Sequence, residues 1–167
     1  MRILKVLCAE NTGLIHKPAV WGIEKVEGVD FNHVAFCTDD GWIYEAIWPK
    51  CRKVNYSDWL NKFKLIRTYQ INLTDDQYKE IVGKIKKQVG RKYSIWQCAM
   101  IYLAQSVSII QEKIESTNWN GWKALICSEF IARPIVEVLG YKFDQGLDSV
   151  GMDEIEIMLK EISARSY

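Results

Sequence analysis

Two apolar, aromatic-rich runs, residues 31–38 and 42–48, stand on either side of Asp39-Asp40-Gly41. Nothing else in the chain narrows its fold as much. A three-residue loop ending in glycine is a common hairpin connection, because glycine takes the required positive φ without steric cost. Loop length also sets register: Thr38 falls opposite Trp42, Ala35 opposite Glu45 and His33 opposite Ile47. Period-two alternation then sends His33, Ala35, Cys37 and Glu45 to one face. Glu45 lies diagonal to His33, a backbone separation of roughly 7–8 Å that two long side chains can span. A slip of one residue would reverse all of these faces. An unpaired carboxylate inside an apolar strand is costly, so Glu45 must either reach water or have a partner.

A second feature lies far downstream. In Leu125-Ile126-Cys127-Ser128-Glu129-Phe130-Ile131 an apolar segment gives way to a helix at a single cysteine. Peptide dipoles at a helix N-terminus favour the thiolate. With a histidine to share the proton, such a thiol becomes a nucleophile. A carboxylate beside that histidine fixes its tautomer and stabilises the imidazolium. The chemistry to expect is attack by Cys127 on an acyl carbon, with His33 as base and then acid and Glu45 orienting His33. The backbone N–H of Cys127 is one oxyanion donor. Duller readings stand beside this one. A cysteine is more often a small core hydrophobe, which suits Cys8, Cys51 and Cys98. Cys37 shares a face with His33 but lacks a helix dipole, and ranks behind Cys127. Without Cys127, His33 would read as a hydrogen-bonded core histidine, and His16 reads as solvated in a loop.

Composition bounds the rest. A chain of 167 residues, 49% hydrophobic and 12% aromatic, is one domain over residues 1–167 with a core that needs no disulfide staples. Its seven tryptophans read mainly as core and rim residues. A net charge of +1, from 22 basic and 21 acidic residues, argues against a nucleic-acid footprint. The basic cluster Lys84, Lys86, Lys87, Arg91 and Lys92 reads as the solvated side and last turn of a helix. Five cysteines without paired spacing, and no visible secretion signal, fit a reducing cytoplasm. No metal site and no cofactor are expected, since no ligand residues show paired spacing. The most apolar stretch, residues 98–104, belongs to a segment broken by Gln97, Gln105, Ser106 and Ser108. It reads as a buried helix, so no integral membrane segment is expected.

Along the chain, residues 2–8 read as a strand and residues 18–26 as a short helix. Tyr56 to Leu60 suggests a helical turn capped by Ser57, and residues 65–73 another strand. Thr74 with Gln77 forms a capping box, followed by Tyr78, Ile81, Val82, Ile85 and Val89 at helical spacing, with Gly90 as the stop. Residues 94–114 read as a long apolar helix and residues 116–121 as a polar loop. A helix from Cys127 to near Gly140, a strand at residues 141–143 and a closing helix at residues 152–162 complete the pattern. Strands cluster early and helices late, which predicts α+β: an antiparallel sheet with helices packed against it.

The motifs resemble the circularly permuted branch of the papain-like NlpC superfamily, which has bacterial and viral members and is related to lecithin–retinol acyltransferase-like proteins. The residues that carry the resemblance are His33-Val34-Ala35-Phe36, then Tyr44-Glu45-Ala46, then Cys127-Ser128-Glu129-Phe130, with a looser match at Gly90-Arg91-Lys92-Tyr93. It implies a papain-like fold in which the histidine strand precedes the cysteine helix, with Cys127, His33 and Glu45 as the catalytic positions. It also implies a thiol hydrolase, a peptidase or amidase, acting on a small peptide, amino-acyl or acyl substrate. An acyltransferase or lipid-directed thioesterase on the same residues, and a non-catalytic binding module, are the alternatives. Two features depart from the family pattern. No glycine-aspartate turn precedes the first strand, and Pro134 falls inside the cysteine helix, where a kink or an end near Arg133 is expected.

Overall fold

A computed structural model describes residues 1–11, 28–94, 124–144, 146–147 and 150–165. The expected helices at 18–26 and 94–114, the loop at 116–121, and residues His16 and Cys98 lie outside the described residues. Within them, β1 (Arg2–Asn11), β2 (His33–Cys37), β3 (Trp42–Glu45), β4 (Arg52–Asn55) and β5 (Phe63–Leu73) form a five-stranded sheet in the order β4-β3-β2-β1-β5. Every neighbouring pair is antiparallel. Three longer helices follow in the sequence: α2 (Asp75–Gln88), α3 (Cys127–Leu139) and α4 (Met152–Ala164). A shorter one, α1 (Tyr56–Leu60), lies between β4 and β5. The architecture is α+β.

The hairpin has the register its turn demands. Ala35 pairs with Glu45, Phe36 with Tyr44 and Cys37 with Ile43. The Thr38 N–H donates to the Trp42 carbonyl at 3.0 Å, and Gly41 takes φ 77°. Pairing stops at Glu45 instead of continuing to Trp48, so the expected match of His33 with Ile47 lies beyond the ladder.

Alternation along the strands divides the interior in two. Leu4, Val6, Cys8, Val34, Phe36 and Tyr44 face one side, where they share a core with Ile81 and Ile85 of α2, Phe130 and Ile131 of α3, and Ile155 and Leu159 of α4. On the other side Leu7, Ala9, Ala35 and Ile43 pack with Trp59 of α1 and Phe63 of β5. The helical side holds most of the buried apolar surface, and burial at about 25 cal/mol per Å² makes it the dominant source of stability.

Local chemistry explains the element ends, with some corrections to expectation. The Thr74–Gln77 capping box forms as the sequence predicts. The cap of α1 is Asn55, whose side chain accepts from the Ser57 N–H at 2.9 Å and the Ser57 hydroxyl at 2.7 Å. Ser57 is therefore the capped residue and not the cap. The cysteine helix does not end at Arg133 but runs through Pro134 to Leu139. Phe130, Ile131 and Ile135 on both sides of the proline are fully buried in one core, which holds the two halves together despite the lost backbone bond. Gly140, at φ 69°, then caps the helix. Residues 141–143 are not a strand. After that left-handed cap, Tyr141 and Phe143 form an edge-on pair 5.0 Å apart. Two further features were not expected: β4, and a small parallel sheet in which β6 (Lys92–Tyr93) pairs with β7 (Ala124–Leu125). Among the described residues, no helix is long and apolar enough to cross a membrane.

Candidate active site

His33 opens β2 and Glu45 closes β3, so both lie at the end of the sheet away from the hairpin turn. The hairpin register places them diagonally on one face, and their side chains close the gap. His33 Nε2 lies 2.6 Å from Glu45 Oε2. Both are buried, with Glu45 wholly enclosed. The partner that a carboxylate in this strand required is therefore His33, and it is not alone. Arg52, opposite Glu45 on β4, donates to Oε1 from Nε at 2.7 Å and Nη2 at 2.6 Å. The indole Nε1–H of Trp59 donates to Oε2 at 2.9 Å. A carboxylate has about four lone-pair sites, and Arg52, His33 and Trp59 occupy them with four donors.

The surroundings decide which proton is where. Burial by itself would raise the Glu45 carboxyl. The hydrogen bond and charge of His33, joined by Arg52, outweigh it and hold the carboxyl down at about 2. An ionised carboxylate only accepts, so the hydrogen between it and the imidazole belongs to Nε2. In the neutral ring the lone pair is then on Nδ1, the nitrogen available to take a proton.

The imidazole is also held by stacking. Its ring lies over Phe63 at a centroid distance of 4.6 Å and an interplanar angle of 19°, and Phe63 in turn stacks on Trp59 at 4.8 Å and 17°. Sequence reasoning found His33 and Glu45 but not Arg52, Trp59 or Phe63. A signal for Arg52 existed in the alternation of Arg52-Lys53-Val54-Asn55, which marks a short edge strand returning beside β3.

Cys127 is the first residue of α3, with Ile126 as an N-cap that offers no side-chain acceptor to the first turn. The direction of α3 places its head. Helix α2 starts near the hairpin turn, where the Tyr78 hydroxyl donates to Asp39 at 2.6 Å, and ends near Cys51, where the Gly90 N–H donates to the Cys51 carbonyl at 2.9 Å. Lys84 pairs with Glu137 at 2.8 Å, and charge from Glu129 reaches Cys51. So α3 runs back toward the hairpin turn, antiparallel to α2, and its head lies at the end of the sheet where His33 and Glu45 sit. A chain of backbone bonds makes the same connection. The Tyr93 N–H donates to the Pro49 carbonyl at 2.9 Å, Tyr93 pairs with Leu125 in β7, and Cys127 follows two residues on.

The structure thus joins His33 to Glu45 and brings the head of the cysteine helix to the same end of the sheet. Cys127 belongs to the helical-side core, whereas the imidazole packs on Phe63 of the opposite face.

Cys127 is buried, as are Cys8 and Cys51. Burial pushes Cys8 up to about 12 and Cys51 up to about 11. Cys37 is half-buried, and burial raises its thiol too. Its sulfur faces the Thr38 carbonyl at 3.7 Å. Among the described residues, no group of His, Cys, Asp and Glu could hold a metal ion.

Neither the known protein-family models nor the curated proteins include a match to this chain.

Proposed function

We propose that this protein is a cysteine-dependent hydrolase of papain-like type in circularly permuted order, a peptidase or amidase that cleaves an amide bond through a thioacyl intermediate. The observation that carries the reading is the ionised, fully bonded Glu45 fixed on His33 Nε2, at the end of the sheet where α3 begins with Cys127. Such a pair leaves Nδ1 as the base and gives the imidazolium a counter-charge when it forms.

In the proposed cycle His33 Nδ1 takes the Cys127 proton as the sulfur attacks the substrate carbonyl carbon. The carbonyl electron pair moves to oxygen, where the Cys127 backbone N–H at the positive end of α3 stabilises it. Collapse breaks the carbon–nitrogen bond, and His33 gives its proton to the departing amine. Water, deprotonated by His33, then attacks the thioacyl carbon and releases the acid, and the proton returns to Cys127. Binding of the substrate brings sulfur and imidazole into bonding contact, as catalytic hydrogen bonds commonly tighten only in the substrate complex.

The test is covalent labelling by a thiol-directed electrophile, read by peptide mass. Cys127→Ser should abolish labelling while circular dichroism shows the fold intact. Labelling that survives in Cys127→Ser but disappears in Cys37→Ser overturns the assignment. Trapping the acyl-enzyme with peptide amides against lipid esters distinguishes hydrolysis of an amide from acyl transfer or thioester chemistry on the same thiol.

A further inference from the structure

We infer that Trp59 is a positioning residue for His33, acting through the Glu45 carboxylate that the two rings share. The inference builds on the proposed role of His33 as the base, and the geometry behind it is independent of which acyl group is cleaved.

A buried indole N–H needs an acceptor, and any would satisfy it. Trp59 Nε1 instead takes Oε2, the same oxygen that holds His33 Nε2 at 2.6 Å, and does so at 2.9 Å. Phe63 fills the space between the two rings and stacks on both, at 4.6 Å from His33 and 4.8 Å from Trp59. Glu45 and Phe63 therefore each bridge the same pair of rings, one at the polar edge and one across the faces. With Arg52 occupying Oε1, the carboxylate cannot turn without breaking a charged bond. A flip of the imidazole would break its bond to Glu45, and tilting out of its plane would lose the stack on Phe63.

This arrangement also tunes the ring. Two donors divide the charge of Oε2, so the Trp59 N–H lowers the share available to stabilise an imidazolium. Removing it leaves more negative charge for His33 and raises the proton affinity of the ring. The charged groups that act on the carboxylate are His33 itself and Arg52 from β4, while Tyr56 of α1, Leu7 and Ala9 of β1 and Phe63 of β5 belong to the apolar packing on the same face. Trp59→Phe removes the N–H and keeps an aromatic ring against Phe63, at the cost of some buried volume.

The experiment is a proton NMR titration of the histidine rings. The chain has two histidines, so loss of one signal in His16→Gln assigns the other. In Trp59→Phe the His33 midpoint should rise by roughly half to one pH unit, the equivalent of one hydrogen bond. A midpoint unchanged or lowered in a folded variant overturns the inference. If Trp59→Phe does not fold, the unaltered protein still provides a test. The Trp59 indole N–H resonance, assigned through bonds, should shift with the His33 midpoint because both donors share one oxygen. An indole signal that ignores the titration refutes the coupling. These readouts do not involve Cys127, so a failure here is distinguishable from failure of the hydrolase reading, which the labelling of Cys127 decides.

Discussion

Replacing Glu45 by glutamine should remove an identifiable, pH-dependent part of the protein's stability. The carboxyl, ordinarily near 4.5, is held at about 2 in the fold. One pH unit corresponds to about 1.4 kcal/mol, so ionised Glu45 contributes on the order of 3 kcal/mol. The sign follows from the depressed value. The contribution is complete above about pH 4.5, where the unfolded chain is also ionised, and is lost as pH falls from there toward 2. Glutamine has nearly the same shape but turns a donor toward either Arg52 or the His33–Trp59 pair. All three are donors, so one bond becomes a clash of donors, a further penalty for a buried group. Urea unfolding of wild type and Glu45→Gln at pH 7 and at pH 3 measures this. The variant should be less stable by several kcal/mol at pH 7, and the gap should narrow at pH 3. A gap of the same size at both pH values, or none at pH 7, would refute the electrostatic account of the pair.

The remaining expectations concern the scaffold and the thiols. Phe130 is fully buried against Phe36 at a centroid distance of 6.0 Å, so Phe130→Ala should cost about 3–5 kcal/mol in denaturant unfolding. Thr74→Ala removes one half of the α2 capping box and should cost about 1 kcal/mol by the same measurement. Cys8 and Cys51, pushed to about 12 and about 11 by burial, should not react with a disulfide reagent at neutral pH until the protein is unfolded, as peptide mapping would show.

What the sequence made legible was local. The residues Asp39-Asp40-Gly41 determine a hairpin register, and register alone brings Glu45 to His33. Thr74 with Gln77, and Gly140 after Leu139, marked helix ends because the capping atoms lie within a turn of the residues they serve. Errors arose where distant contacts decide. A proline at position 134 signals a kink or an end, and the end does not occur because the core around Phe130 and Ile135 carries the helix on to Leu139. Two aromatics after Gly140 look like a strand, yet they pack on each other. The clamp on Glu45 was invisible for a related reason. Arg52 reaches the carboxylate only because β4 returns beside β3, and Trp59 only because α1 folds over the face opposite the long helices. A tryptophan in a short polar helix carries no sign of its acceptor.

The most direct test of the central claim is the pH dependence of Cys127 alkylation, mapped by peptide mass with reagent in short supply, in wild type and in His33→Gln. The account predicts that Cys127 reacts ahead of the other four of the five cysteines, and does so below the ordinary thiol range of about 8.5. It also predicts that this advantage disappears in His33→Gln. A Cys127 that reacts only near the ordinary thiol value, with the same profile in both proteins, would contradict it.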